Sequence, residues 1–361
     1  MSLDPIGKSE LCDRCPEIRP DRPARIDTVF PVDIDLFSLP GLRARPYRGP
    51  ADHPAMADLV NRWFRAVGIE EVSTAEDLDH NYAHLENCDP YSDMVLVESA
   101  EGTLVGYTRT DWWQVEGGER KYAVFAKIDP DWRDTDLPVT MLRAGRDHGA
   151  SIAATHDVKC PQVFEGWAED DREQALYAAY RTLGFTPITY GATMVRPNID
   201  DVPDAPLPDG LESRPVEESH LRTIWEADKE AFRDHWGYSE PSEEDWLRFL
   251  ESPHRDETLW KIAWEGDRVV GQVRSFINHV ENSSLGQARG WTEFISTHRD
   301  WRKRGVASAL ICESLHELAS RGMTEAALGV HTENPNGAFR LYESLGYEVR
   351  ERYTTFQQPI D

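Results

Sequence analysis

The chain repeats itself, and the repeat limits the folds open to it. Gly41-Leu42 and Arg45-Pro46 recur as Gly210-Leu211 and Arg214-Pro215. Asp131-Trp132-Arg133 recurs as Asp300-Trp301-Arg302 at the same offset, and Met141-Leu142 as Leu310-Ile311. Tyr180-Arg181-Thr182-Leu183-Gly184-Phe185 recurs as Tyr342 through Tyr347, a few residues earlier than that offset. Separated blocks that share one offset imply two copies of one fold in tandem. A chain of 361 residues is also too long for one typical core and comfortable for two. We expect an N-terminal extension over 1–40, a first domain over 41–197, a linker over 198–209 and a second domain over 210–361. The linker follows from Pro203, Pro206 and Pro208 set among Asp200, Asp201, Asp204 and Asp209. Residues 1–40 carry Pro, Asp and Arg without periodicity.

The second copy reads as a mixed α/β unit. Leu211–Val216 is a short strand. His220–His235 is a helix with Leu221, Ile224, Trp225, Ala231 and Phe232 on one stripe. Ser242 and Asp245 form an N-cap pair ahead of Trp246-Leu247 and Phe249-Leu250. Residues 258–264 and 268–277 make a hairpin around Gly266, and Arg289–Thr297 is the next strand. A helix runs from Ser308 to about Arg321, then a strand over Ala326–Val330. A last helix over Ala338–Leu345 ends at Gly346, and 347–357 supplies the final strands. In the first copy Val95-Leu96-Val97, Gly106 and Val124–Ile128 mark strands.

Between the strand ending at Thr297 and the following helix lies Arg302-Lys303-Arg304-Gly305-Val306-Ala307. The first amides of a helix have no partner within it, and the dipole there is positive. Gly305 lets the backbone come close to a ligand, and the three cations add charge. Such a turn is an anion site suited to a diphosphate.

The form Arg-x-x-Gly-x-Ala between strand and helix resembles the acetyl-CoA pyrophosphate loop of the Gcn5-related N-acetyltransferases (GNAT). Asn334, Ala338 and the run Leu341-Tyr342-Glu343-Ser344-Leu345-Gly346-Tyr347 resemble the second signature of that family. The tandem arrangement is similar to that of an actinobacterial two-domain group within it. The resemblance implies a fold class of α/β (α+β) type. Each of two tandem domains would be a mixed, mostly antiparallel twisted sheet flanked by helices. It also implies an N-acetyltransferase that uses acetyl-CoA as co-substrate and a small-molecule primary amine as acceptor. A CoA-sensing protein without turnover, or an enzyme for a longer acyl donor, are the alternatives.

The resemblance distributes roles over the second copy. Arg302, Lys303, Arg304, Gly305, Val306, Ala307 and Ser308 would hold the pyrophosphate. Ile295 and Thr297 would meet the pantetheine arm, and Asn334 would bind the same arm or start the helix. Tyr342 would protonate the departing thiolate, since a phenol near pKa 10 and a thiol near 8.5 are closely matched. The base is open among several residues. Glu293 shares a strand face with Ile295 and Thr297, and His235, His279 and His331 are further candidates. The acceptor would be shaped by 233–246, with Trp236, Tyr238 and Trp246, and by 347–356.

The first copy departs from this pattern. It has Arg133-Asp134-Thr135-Asp136-Leu137-Pro138 at the loop. Asp134 and Asp136 repel a phosphate, Asp136 replaces the glycine, and Pro138 removes an amide. We therefore expect one donor site per chain, in the second copy.

Composition excludes some classes. A net charge of −26 disfavours nucleic acid and anionic membranes as partners. No apolar run has membrane-spanning length and no secretory pattern opens the chain, so a cytoplasmic location is expected. Cys12, Cys15, Cys88, Cys160 and Cys312 form no disulfide framework. Cys12 and Cys15 have metal-like spacing but lack a second pair, so no metal is expected. Monomer and dimer both fit the sequence.

Overall fold

The computed structural model describes residues 39–360, apart from 171, 236 and 332–336. Cys12, Cys15, Trp236 and Asn334 lie outside the described residues. The first half runs β1 (Arg43–Pro46), α1 (His53–Val67), α2 (Ala75–Ala83), β2 (Met94–Glu98), β3 (Leu104–Arg109), β4 (Trp112–Gln114) and β5 (Arg120–Ala123). It continues with β6 (Lys127–Ile128), α3 (Leu137–Ala153), β7 (Gln162–Glu169), α4 (Gln174–Thr182) and β8 (Thr186–Arg196). The second half opens with β9 (Glu212–Ser213), α5 (Leu221–Phe232), α6 (Glu243–Leu250), β10 (Lys261–Glu265), β11 (Arg268–Phe276) and α7 (His279–Leu285). It closes with β12 (Arg289–Thr297), α8 (Val306–Ser320), β13 (Glu325–His331), α9 (Ala338–Ser344) and β14 (Glu348–Pro359).

Local sequence signals account for most element ends. Ser242 caps α6 by accepting from the Asp245 amide, and the Asp245 carboxylate accepts from the Ser242 amide. Gly346, at φ 83°, turns the chain out of α9. β12 has the expected bounds. Other expectations need correction. The strand at 211–216 shrinks to Glu212–Ser213. The last segment is one continuous strand, not two. Helix α7, capped by Asn278, was not foreseen because its seven residues are too few for periodicity to register. Residues 124–126 lie in no strand, since the chain leaves β7 after β5 and joins β3 through β6.

The strands form a four-stranded sheet, β1-β2-β3-β6, and a ten-stranded sheet, β4-β5-β7-β14-β8-β13-β12-β11-β10-β9. The order of the larger sheet is informative. β8 belongs to the first half by sequence but pairs with β13 of the second, while β14 pairs with β7 of the first. β8 and β14 also pair with each other. Each half thus completes the other's sheet. The cores record the same exchange: Ala192 and Met194 of β8 pack in the second half's cluster, and Phe356 of β14 packs in the first half's.

Candidate functional site

Two central strands of the second half part company. β12 and β13 pair in parallel from Arg289↔Glu325 to Trp291↔Ala327. β12 then runs on to Thr297 and β13 to His331 without further pairing between them. The split coincides with a bulge in β12. Gln272 faces Ser296 and Arg274 faces Glu293, so Phe294 and Ile295 together oppose Val273. Phe294 takes a positive φ of 50°, which is unusual for a bulky residue. The facing edges of the split strands open onto a cavity of about 700 Å³.

That cavity gathers nearly all the residues singled out from the sequence. Glu293, Ile295, Thr297, Arg302, Lys303, Gly305, Val306, Ala307, Ser308 and Tyr342 line it. So do His235 and His331, whereas His279 does not. Arg304 lies beside it, its guanidinium 5.0 Å from the Trp301 ring.

The mouth of the cavity is the start of α8. Gly305, at φ 91°, is its N-cap, and a Cβ there would meet no atom within 4 Å. The glycine is needed for its dihedral, not for space. No side chain caps this helix, so the first amides face the cavity mouth. Arg302 is placed differently from a free anion ligand. Its guanidinium donates to the Asp234 carboxylate at 2.8 Å, the Ala231 carbonyl at 2.9 Å and the Thr297 carbonyl at 3.3 Å. It ties the loop to α5 and β12. Lys303 lines the cavity, while Arg304 stacks on Trp301 beside it, a division of labour that sequence cannot reveal.

Glu293 bridges the split. Its carboxylate accepts from the Gly329 amide of β13 at 2.7 Å. Burial, reinforced by the Glu71 charge, pushes its pKa up to about 7. Tyr342 lies on α9 with 6% of its surface exposed. Burial first, and the Glu293 charge second, push its phenol above the ordinary value. The two groups therefore feel each other across the cavity.

The first half has the same frame with the site filled in. Val124 stands where Glu293 does, and Tyr180 where Tyr342 does. The Tyr180 hydroxyl donates to the Val124 carbonyl at 2.6 Å, and the ring is fully buried against Phe356 and Phe185. It plugs the split between β5 and β7. Asp136 starts α3 at φ −74°, so the loop follows another path, and the Leu137 amide already donates to Thr135 Oγ1. A smaller cavity of about 250 Å³ lies at this loop, lined by Arg133, Asp134 and Pro138 among others.

A second cavity, of about 750 Å³, lies on the other side of Glu293 and Phe294, which line both. Its walls come from the two halves together. Glu71, Ser73, Asp77 and His80 arrive from the first, and Trp225, Phe249, Trp260, Arg274 and Trp291 from the second. Cross-half bonds hold the walls in register. His84 Nδ1 is 2.6 Å from Glu244, the Ser242 hydroxyl donates to Glu86 at 2.6 Å, and Glu70 pairs with Arg289 and Arg350. The sequence reading missed this cavity, because α2 and α6 are brought together only by the fold. It had placed the acceptor by 233–246 and 347–356. Among the described residues of those segments, Asp245 reaches this cavity, His235, Tyr238 and Tyr353 line the first cavity, and Trp246 packs on Trp225.

The parallel pair splits with a bare helix N-terminus at its mouth, an arrangement that can receive an anionic group. Residues 221–347 match the model of the acetyltransferase (GNAT) family. The mycothiol acetyltransferase of Geodermatophilus obscurus is 24% identical over 306 residues, covering 82% of this chain and 91% of that protein. The mycothiol acetyltransferase of Salinispora tropica is 25% identical over 309 residues, covering 84% and 93%. Among solved structures, a GCN5-related N-acetyltransferase from Sphaerobacter thermophilus superposes with a TM-score of 0.67 at 25% identity, over 89% of this chain and 96% of that one. A tandem GNAT protein from the clavulanic acid biosynthesis pathway shares the fold, with a TM-score of 0.59 at 14% identity over 88% and 98%.

Residues 221–347 carry a domain of the GNAT family of acetyltransferases, and over most of its length the chain is similar to two-domain relatives and shares the fold of tandem GNAT proteins. It is an acyltransferase that draws on an acyl-CoA donor. No helix among the described residues is long and apolar enough to cross a membrane, and no cluster there could hold a metal.

Proposed function

We infer that the protein moves an acetyl group from acetyl-CoA to the primary amine of a small molecule, in the second half. The observation that carries this reading is Glu293. It is a carboxylate with a pKa of about 7, held at the split by the Gly329 amide, with Tyr342 across the cavity. The donor's diphosphate rests on the amides of residues 305–308, with Lys303 and Arg304 adding charge and Arg302 holding the loop. The pantetheine arm lies along β12 near Ile295 and Thr297. The acceptor enters from the cavity between the halves and meets the thioester at Glu293.

The acceptor enters as the free amine, its ammonium proton lost to solvent, and Glu293 takes a proton from the attacking nitrogen, a task its near-neutral pKa suits. The new N–C bond forms as the C–S bond breaks, and an amide at the bulge stabilises the oxyanion between. Tyr342 donates a hydrogen bond to the leaving sulfur. Its raised pKa makes it a weaker acid than the thiol, so it acts chiefly by donating a hydrogen bond to the thiolate. The proton on Glu293 then restores the balance, giving amide and free thiol.

Titration with CoA tests the assignment. One equivalent per chain should bind, and Gly305→Val should weaken binding at least tenfold, because a β-branched residue cannot hold φ 91°. Two equivalents, or donor density in the first half, would refute it. Thiol release from acetyl-CoA across a panel of amines then separates turnover from mere sensing.

A further inference from the structure

The cavity between the halves holds charged groups of both signs, and most are already matched. Asp77 pairs with His254 at 3.3 Å, Asp245 pairs with Arg248 at 2.5 Å, and Glu281 accepts from the Trp291 indole at 3.2 Å. Arg255 pairs with Glu257 at 3.0 Å, and Lys127 lies with its ammonium 3.2 Å from the centre of the Trp63 ring. Glu71, Glu293 and Arg274 also stand outside the three pairs named first.

Arg274 is the anomaly. It lines the cavity, yet only 2% of its surface is exposed. Its Nη2 donates to Asp228 Oδ2 at 2.6 Å. Its Nε and Nη1 have no hydrogen-bond partner among the described residues. An unmet donor on a buried charged group costs more than on a neutral one, so such a group is rarely kept without use. The guanidinium is wrapped by rings instead, lying 4.2 Å from the Phe294 ring, 5.0 Å from Phe249 and 6.0 Å from Trp260.

Of the three rings over Arg274, Phe294 is the exposed one. Phe294 is half-exposed, sits at the bulge with a positive φ, and lines both cavities. Phe249 and Trp260 are packed into the core cluster. A shift of the Phe294 ring uncovers the guanidinium from the acceptor side.

Register sets the distance to the chemistry. Arg274 and Glu293 are direct partners in the β11–β12 ladder, so their side chains leave the same face of the sheet. Their Cβ atoms are then about 5 Å apart. A ligand group on Arg274 is therefore within a few bonds of an amine on Glu293.

We propose that the acceptor is an amine bearing a carboxylate close to the nitrogen, an amino-acid-like zwitterion. Its carboxylate displaces the Phe294 ring and accepts hydrogen bonds from Arg274. Its amine lies between Glu293 and Glu71. Arg274 is then a specificity-determining residue, reading a charge that a plain amine lacks. This rests on Glu293 being the base of the same site.

The test uses the full chain saturated with CoA. N-acetylglycine, N-acetylphenylalanine and N-acetyllysine are each titrated against the corresponding primary amide. At least one acid should bind tenfold or more tightly than its amide. Arg274→Gln should bring that ratio close to one. Phe294→Ala, which keeps Arg274 and its partner Asp228, should preserve or raise the ratio, and this keeps the test valid if Arg274→Gln folds poorly. Equal affinity of every acid and amide for the unaltered protein overturns the proposal, as does a preference that survives in a folded Arg274→Gln. Thiol release with the free amines is measured in parallel. Turnover without carboxylate preference sinks this inference alone. Carboxylate preference that Arg274→Gln abolishes, without any turnover, sinks the acetyl-transfer reading and with it the acceptor role proposed here, and leaves Arg274 only as a carboxylate-binding residue.

Discussion

At the scale of single residues, the two halves differ by a handful of side chains on a shared frame. Glu293 faces an open split, whereas Val124 presents a carbonyl that Tyr180 has already bonded at 2.6 Å. Burial acts on both groups of the open site, in directions that suit a neutral-pH base and a protonated donor. Glu293→Gln should lower kcat/KM by roughly 10²–10⁴, the usual contribution of a general base. It should also remove the rise in activity through about pH 7 that the carboxylate imposes, since the base works only when ionised. A pH–rate profile of the variant that keeps this rise assigns the base elsewhere. Tyr342→Phe should leave CoA affinity within about twofold and slow turnover roughly tenfold or more. Unchanged thiol release would return Tyr342 to the packing role that Tyr180 plays. Both tyrosines were legible in the sequence. Their opposite fates were not, because whether a hydroxyl meets a carbonyl depends on how far two strands have parted.

At the scale of elements, the strand exchange decides what can stand alone. β8 lies between β13 and β14, and Ala192 and Met194 fill the second half's core. A chain cut to residues 210–361 would expose an unpaired edge on β13 and lose those apolar contacts. Such a fragment should show no cooperative unfolding transition by itself. Mixing it with a fragment covering the first half and β8 should restore one, along with CoA binding. A 210–361 fragment that unfolds cooperatively alone would mean that β8 adds little. Periodicity found the helices and strands of the second half well, including β12 and the cap of α6, because those signals lie within a few residues. Pairing between β8 and β13 joins positions more than a hundred residues apart, and alternation along a strand carries no record of its partner.

At the scale of the whole molecule, buried acids set how stability depends on pH. Glu71 and Glu293 are pushed up to about 7 and Glu169 to about 8, in each case chiefly by burial. Folded pKa values above the unfolded ones mean that the native state holds more protons than the unfolded chain between about pH 4.5 and 8. Stability should therefore be fully supported below that window and fall as pH rises through it. A loss on the order of 1 kcal/mol per group is expected, seen as a falling Tm between pH 5 and 8. Glu169→Gln should flatten that slope, and an unchanged slope would place the proton uptake elsewhere. The same burial makes the first half more than a remnant. Asp77 and His80 of its α2, together with Glu71, line the cavity between the halves, so the first half takes part in shaping that cavity.

The sequence alone determined the repeat, the resemblance to the GNAT family, the cationic glycine turn at 302–305 and the presence of Glu293 and Tyr342. Each of these is written in local spacing or in residue type. Only the tertiary structure decided that the strands split at Trp291, that Arg302 braces the loop and that β8 and β14 trade places. It alone set a second cavity between the halves, with a half-satisfied Arg274 in its wall. Those features depend on which distant surfaces meet, and that is settled by packing the whole chain at once.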